Sequence, residues 1–537
     1  MSEESSDKVI DMGKTSATGG FHLFLGRIIS TVILAIGTII VGRYISEGDY
    51  GLYTVALIPA TTLLLFSDWG IGSALTKYCA NYRASKREGE LRPIIVSGLT
   101  FVILTGLSLT LISLLAANLI ASLFGKPESA FLIAVSSITI FSAALSAFSI
   151  SVIVGFERMG ISSIVMVVSA TVQGLCAPLL VYLGFGAFGA VVGATVASVA
   201  SGITGIAMLY FFILRKLPLG TMGKIKIFQT LKPLLIYGIP ISMVGLLEGL
   251  ANQVDNLMMA AFANLSAIGN FTVANNFTIL LTFFIFPLQT VLFPAFSKLD
   301  PLRDKEFLKT VFTSSVKYSS LFMVPATIAL MVLSAPMVNT LYGERWLQAP
   351  LFLSLFVVGH LVVLIGSLSC NRLLYAMGET KILLKLSFLT LCIGVPLAFL
   401  LVPAFGVVGA IISGTLIAPS FSLCISIYWI WKHYETKVSF RNSARILLAS
   451  IFAGLTTYLF LNTFDASSWI MLTTGALLFL FVYLFSIPLV GAMNKMDIKN
   501  LRVMFSEIGI ASKLLEIPLV LIEESLTFKE KLIKTIK

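Results

Sequence analysis

Few residues of this chain could do chemistry, and most of those stand inside long apolar runs. Glu248, Asn252 and Asp255 follow one another at offsets of four and three. At roughly 100° per residue a helix gathers them on one narrow stripe, with Glu248 near the middle of its run. Two carboxylates and an amide so placed can bind a cation or proton, pair with basic groups opposite, or tie helices together. Arg27 and Lys317 each lie about two turns in from the polar end of their runs. A guanidinium offers phosphate oxygens a planar fork of donors, and an ammonium offers a point charge. Either side chain can instead snorkel to the membrane interface. His360, mid-run, can hydrogen-bond, take a proton or simply pack. Asp68, in Ser67-Asp68-Trp69-Gly70, has Arg27 and Lys77 as candidate partners. Ionisable groups deep in a bilayer cost several kcal/mol unless a partner or a wet cavity meets them, so these residues are the best site markers available.

Other chemistry is missing. No GxxxxGK[ST], HExxH or GxSxG occurs. The expectation is therefore a protein that is not an enzyme, with no cofactor, no metal and no ATP drive of its own. The five cysteines (Cys79, Cys176, Cys370, Cys392 and Cys424) fall in apolar runs without CxxC spacing, which points to packing. Glu47-Gly48-Asp49 faintly resembles the acidic motif of membrane glycosyltransferases, but the loops around it are short. Asn264-Leu265-Ser266 fits a glycosylation sequon.

The elements that must position these groups are set by composition. Of 537 residues, 57% are hydrophobic and 12% charged, about half the charge a soluble domain usually carries. The mean hydropathy is +0.97. The apolar material comes in blocks of about 20 residues or more, the length that crosses a hydrocarbon core. An all-α polytopic membrane protein is expected, with fourteen spans at 21–45, 51–76, 93–123, 128–155, 161–184, 187–214, 233–262, 270–297, 308–333, 347–371, 380–402, 406–431, 444–464 and 468–491. Nothing at the N-terminus reads as a cleavable signal.

The net charge of +11 is explained by topology. Lys77, Arg83, Lys86, Arg87 and Arg92 share a loop parity with Arg215, Lys216, Lys224, Lys226 and Lys232. Lys298, Arg303, Lys305, Lys309, Lys432, Lys437, Arg441 and Arg445 fall on the same side. The opposite loops hold Arg43, Lys126 and Arg345. The positive-inside bias places both termini in the cytoplasm, and no nucleic acid need be invoked.

Two halves of the chain echo each other at a spacing near 220 residues. Gly51-Leu52-Tyr53-Thr54-Val55-Ala56 matches Gly269-Asn270-Phe271-Thr272-Val273-Ala274. Phe185-Gly186-Ala187-Phe188-Gly189-Ala190 matches Phe405-Gly406-Val407-Val408-Gly409-Ala410, and Phe156-Glu157-Arg158-Met159-Gly160 echoes Met377-Gly378-Glu379. Six spans per repeat give two lobes of the same orientation, related by a pseudo-two-fold axis along the membrane normal, with a cleft between them. The expected layout is a cytoplasmic N-terminus (1–20), an N-lobe (21–214), a cytoplasmic linker (215–232), a C-lobe (233–431), two further spans (444–491) and a cytoplasmic amphipathic tail (492–537). Pro178, Pro240, Pro287, Pro325 and Pro396 would permit kinks within spans.

Val41-Gly42-Arg43-Tyr44-Ile45-Ser46-Glu47-Gly48-Asp49-Tyr50-Gly51-Leu52-Tyr53 resembles the "RYLGPEEYGLY" opening of polysaccharide-type flippases. Asp68-Trp69-Gly70-Ile71-Gly72-Ser73-Ala74-Leu75-Thr76-Lys77-Tyr78 resembles their "DLGLGSALTRY" signature. Asp255-Asn256-Leu257-Met258-Met259, Leu341-Tyr342-Gly343 and Ala376-Met377-Gly378-Glu379-Thr380-Lys381 also fit. The chain thus resembles, from about Gly26 to Val490, the oligosaccharide and polysaccharide (Wzx-type) flippase branch of the multidrug/oligosaccharidyl-lipid/polysaccharide exporter superfamily.

The resemblance implies fourteen helices in two lobes in the cell membrane, and alternating access around a central cavity. The cavity would receive the diphosphate-sugar head of a polyprenyl-linked oligosaccharide. Arg27, Lys317, Asn252 and His360 would contact substrate, and Glu248, Asp255 and Asp68 would serve ion coupling. Partners would be the lipid-linked oligosaccharide, membrane lipids, H+ or Na+, and the glycosyltransferases of the pathway. The acidic stripe departs from a purely cationic cavity and equally fits the other reading, a cation-coupled multidrug antiporter of the same superfamily. The tail beyond Met493, with Lys529, Lys531, Lys534 and Lys537, reads as an amphipathic extension at the membrane surface.

Overall fold

A computed structural model describes residues 3–218, 227–282, 285, 292, 296–300, 303–506, 516, 518–527 and 529, with side chains from residue 23 on except 503–506. All regular structure among these residues is helical. Among the described residues ten helical stretches are long and apolar enough to cross a membrane, with Met159–Lys216 counted once, or eleven if the bent pair Ala349–Ile365 and Ser367–Ala376 counts as one span. The expected fifth and sixth spans are helical over Met159–Leu180 and Gly186–Phe212, and the chain turns between them where Gly184 takes φ +91°. The expected second span is interrupted between Leu64 and Ile71, where Trp69 and Gly70 take left-handed φ values of 48° and 79°. Residues 283–284, 286–291 and 293–295 of the expected eighth span, with Pro287, lie outside the described residues, as do Lys224, Lys226, Lys531, Lys534 and Lys537.

The chain divides into two compact units. The first comprises residues 1–272 and 394–410. It contains α1 (Glu3–Tyr44), α2 (Glu47–Leu64), α3 (Ile71–Ala84), α4 (Glu88–Leu115), α5 (Ala117–Leu123), α6 (Ala130–Ser136), α7 (Ile138–Gly155), α8 (Met159–Leu180), α9 (Gly186–Phe212), α10 (Ile227–Phe262) and the start of α11 (Leu265–Asn276). In lipid, apolar surface gains little by leaving the solvent, so helices associate through close van der Waals contact and hydrogen bonds between small residues. The sequence supplies these at helical spacing. Ser142 and Ser146 of α7 bond Ser198 and Ser201 of α9 at 2.8 and 2.6 Å. Gly37 of α1 lies so near Gly174 of α8 that a Cβ there would meet its Cα at 2.7 Å. Ile71, Leu75, Leu91, Ile95, Phe148 and Leu234 fill the core among α3, α4, α7 and α10.

Repeated motifs also take similar local conformations. Gly186 has φ +48° and its counterpart Gly406 has φ +57°. Both are left-handed positions where a side chain would strain the turn. The matching hexapeptides make a reciprocal contact. A Cβ on Gly51 would fall 1.9 Å from the Leu265 carbonyl oxygen, and one on Gly269 would fall 2.2 Å from that of Glu47. Thr54 and Thr272 share a hydrogen bond of 2.9 Å, and the Ser266 hydroxyl donates to the Glu47 carboxylate.

The second unit holds residues 273–393 and 411–537. Its helices include α12 (Lys305–Val332), α13 (Ser334–Leu341), α14 (Ala349–Val358), α15 (Ser367–Ala376), α16 (Thr380–Phe405, shared with the first unit), α17 (Val407–Ile411, in the first unit but for its last residue), α18 (Ala418–Tyr434), α19 (Phe440–Thr463), α20 (Ser468–Val490) and α21 (Lys495–Ser506). Between α14 and α15 the chain runs as a 3-10 helix over Gly359–Ile365, then bends by 58° at Gly366. A π-helical segment, Ile412–Ile417, lies before α18. Gly359 packs against Thr415, the two irregular segments meeting at main-chain distance. Irregular backbone at membrane depth survives only where protein or water satisfies it, and π segments recur at functional sites.

Candidate functional site

The α10 helix carries the acidic stripe. It is 36 residues long, about 54 Å at 1.5 Å per residue, and so exceeds the hydrocarbon thickness. Its N-terminal half packs on the break after α2. Gly238 and Gly70 approach so closely that a Cβ on either would clash with the other's carbonyl, and Gly249 lies against Leu65. Its far end is held by Lys126, whose buried ammonium donates to Ala260 O at 2.5 Å and Phe124 O at 3.4 Å. A cation there satisfies carbonyls that a helix end leaves unpaired. Burial pushes the Lys126 ammonium below its ordinary value, partly offset by Glu128.

Between these anchors α10 is sparsely covered. Glu248 and Asn252 are exposed and Asp255 is half-buried. All three lie on one stripe of the helix, as the spacing requires. Asn256 bonds Gln253 at 3.2 Å beside it.

The other marked residues are distributed differently. Arg27 is exposed on α1, one residue past Gly26, which abuts Ser163 of α8. The Asp68 carboxylate accepts from the Gly72 amide at 2.8 Å, and so caps the first turn of α3. Lys77 sits over the Tyr237 ring of α10, 3.8 Å from its centroid. In the second unit, Lys317 bonds Asp497 of α21 at 2.6 Å. His360 lies in the 3-10 segment with its ring 6.0 Å from that of Phe356, and its Nδ1 is buried with no hydrogen-bond partner among the described residues.

Two features were missed by a reading that looked for charge. Asp497 is the partner of Lys317, 180 residues away in sequence. Gln173 of α8, with Thr38, Tyr50 and Tyr53, lines a cavity of about 20 Å³ in the first unit, room for about one water. An amide within an apolar run was the available signal.

The sequence pattern of the family described as "Polysaccharide biosynthesis protein" matches residues 40–351. An uncharacterized membrane protein of Methanocaldococcus jannaschii is 23% identical over 497 residues, covering 90% of this chain and 96% of that protein. An uncharacterized membrane protein in the cps region of Klebsiella pneumoniae is 28% identical over 142 residues, 26% of this chain and 28% of its own length. Among solved structures, the lipid II flippase MurJ in an inward closed conformation matches with a TM-score of 0.67 at 17% identity, covering 86% of this chain and 97% of MurJ. An inward-facing multidrug resistance MATE family transporter of the MOP superfamily matches at 0.62 and 19% identity, covering 76% and 98%. At such identities these structures establish a shared fold. The family pattern spans more than half of the sequence, and this multi-pass membrane protein belongs to the polysaccharide biosynthesis protein family.

Proposed function

We propose that this protein is a flippase that carries a polyprenyl-linked oligosaccharide from the cytoplasmic to the outer leaflet of the cell membrane. The family match over residues 40–351 carries the reading. The helical fold and the polar stripe of α10 support it. In this account fourteen spans form two six-helix lobes, 21–214 and 233–431, with two additional spans and both termini in the cytoplasm. The lobes rock about a cleft, the lipid tail stays in the bilayer, and glycosyltransferases supply the cargo.

Arg27 would meet the diphosphate, and Asn252 and His360 the sugar hydroxyls. Lys317 would join them on exchanging Asp497 for substrate. Glu248 and Asp255 would bind the coupling H+ or Na+, with Asp68 keeping its turn in shape. An intramembrane carboxylate binds such a cation when no fixed basic group across the cleft takes its place.

The test is reconstitution. Proteoliposomes should translocate a fluorescent lipid-pyrophosphate oligosaccharide. Arg27→Ala should slow this about 10- to 100-fold, the range for losing a charge-assisted bond of roughly 1.5–3 kcal/mol. Efflux of organic cations without lipid translocation would instead establish the multidrug antiporter.

A further inference from the structure

The second unit contains an apolar cavity that the proposed transport path does not use. Its volume is about 340 Å³, more than twice the roughly 150 Å³ that accepts benzene in an engineered core. Its walls are α12 from Leu321 to Leu333, α20 from Ala476 to Ile487, and the C-terminal segment through Leu501, Leu519 and Ile522. The two helices run antiparallel along it. Tyr483 Oη donates to Leu321 O at 2.6 Å near one end, and Gly475 packs on Leu333 near the other. Twelve residues of α12 make the cavity ~18 Å long, close to the ~15 Å of one leaflet.

Two cations converge at the Leu321 end. Arg445 Nη1 donates to Gly491 O at 2.9 Å and Lys529 Nζ to Pro488 O at 2.8 Å. Both lie within 3.6 Å of the point a Cβ on Gly491 would occupy. Three acids of the C-terminal segment are engaged elsewhere, Asp497 by Lys317 and Glu516 and Glu523 by Arg502. Arg445 and Lys529 therefore keep donors to spare, without a carboxylate partner among the described residues. Both are half-buried and reachable.

We propose that this cavity is a binding site for an anionic membrane lipid of the cytoplasmic leaflet, its phosphate on Arg445 and Lys529 and one hydrocarbon chain between α12, α20 and the C-terminal segment. The length of the cavity selects a chain that spans one leaflet over a longer polyprenyl tail. The pair of cations selects an anionic head, and the C-terminal segment gains a purpose as the outer wall. The site is independent of the cargo.

Full-length protein in detergent, offered equal phosphatidylglycerol and phosphatidylcholine, is then examined by native mass spectrometry. Wild type should retain phosphatidylglycerol about 10-fold better, the effect expected of two cations near an anionic head. The double variant Arg445→Gln, Lys529→Gln should lose that preference. Ala329→Trp, which fills the cavity, should reduce retention of phosphatidylglycerol at least 10-fold. Equal retention of the two lipids by wild type, or a preference untouched by the surface double variant, overturns the proposal even if Ala329→Trp does not fold. Displacement of phosphatidylglycerol by inorganic phosphate would show a bare anion site, and displacement by a polyprenyl phosphate would give the cavity to the carrier. Either result also overturns it.

Discussion

Gly51→Leu is expected to disrupt the packing of α2 on α11, while Gly48→Leu three residues earlier leaves it intact. The difference lies in what each side chain would meet. A Cβ at Gly51 falls 1.9 Å from a main-chain carbonyl oxygen, whereas one at Gly48 meets nothing within 4 Å. A main-chain atom inside a helix cannot swing aside, so relief requires the helices to part. Overpacking ordinarily costs about 1–3 kcal/mol, and this site belongs at the upper end. Gly269→Leu attacks the same contact from the other side, so the double variant should cost less than the sum. The readout is disulfide formation between Thr54→Cys and Thr272→Cys in a background lacking the five native cysteines. With Gly51 present the pair should close readily, because the threonine hydroxyls already stand 2.9 Å apart. With leucine there, closure should slow at least 10-fold. Equal rates would mean that the two helices do not depend on their glycines.

Asp497→Ala is expected to be the most destabilising single change at the Lys317 end of the second unit. One carboxylate there does three things. It pairs with Lys317 at 2.6 Å, accepts from the Asn494 amide at 2.9 Å at the head of α21, and receives the Tyr318 hydroxyl at 3.4 Å. The two charged side chains are only 14% and 9% exposed. Removing one partner strands the other, a loss of about 3–5 kcal/mol for a buried pair. Replacing both, as Lys317→Met with Asp497→Leu, should restore much of that stability, since matched apolar groups avoid the desolvation cost. Thermal unfolding in detergent should therefore rank wild type and the double variant above Asp497→Ala. If the double variant unfolds no later than the single one, the carboxylate acts mainly through its cap on α21.

The same pair shows where sequence reading stops. Lys317 stands in from the end of an apolar run, and from sequence it could snorkel or face a cleft. Its partner lies in the tail, and no periodicity links positions 180 residues apart. Asp68 was legible as a polar group in an unusual place, but its use as a cap depends on the left-handed turn at Trp69 and Gly70. Hydropathy averages over that turn, and for the same reason the 58° bend at Gly366 was invisible.

Long apolar blocks were another matter. The spans expected at 308–333, 444–464 and 468–491 end within a few residues of α12, α19 and α20. Block length alone decides how much of a helix lipid can hold. The repeated hexapeptides were legible as motifs, while their contact through Gly51 and Gly269 was not. A glycine in sequence does not say what approaches it. On α10, offsets of four and three fixed the stripe outright, because side-chain direction on a helix follows from its pitch.

That stripe bears the central claim, and thiol accessibility addresses it most directly. Cysteines would be placed singly at Glu248, Asn252 and Asp255 in the cysteine-free protein, with Met258 and Met259, both buried, as controls. In membranes, a charged thiol reagent that cannot enter lipid should label the three stripe positions and spare both controls. Lipid-linked oligosaccharide should slow the labelling. Stripe positions as unreactive as the buried methionines would mean that these groups face lipid or solid packing, and that no watery route for a sugar head passes along α10.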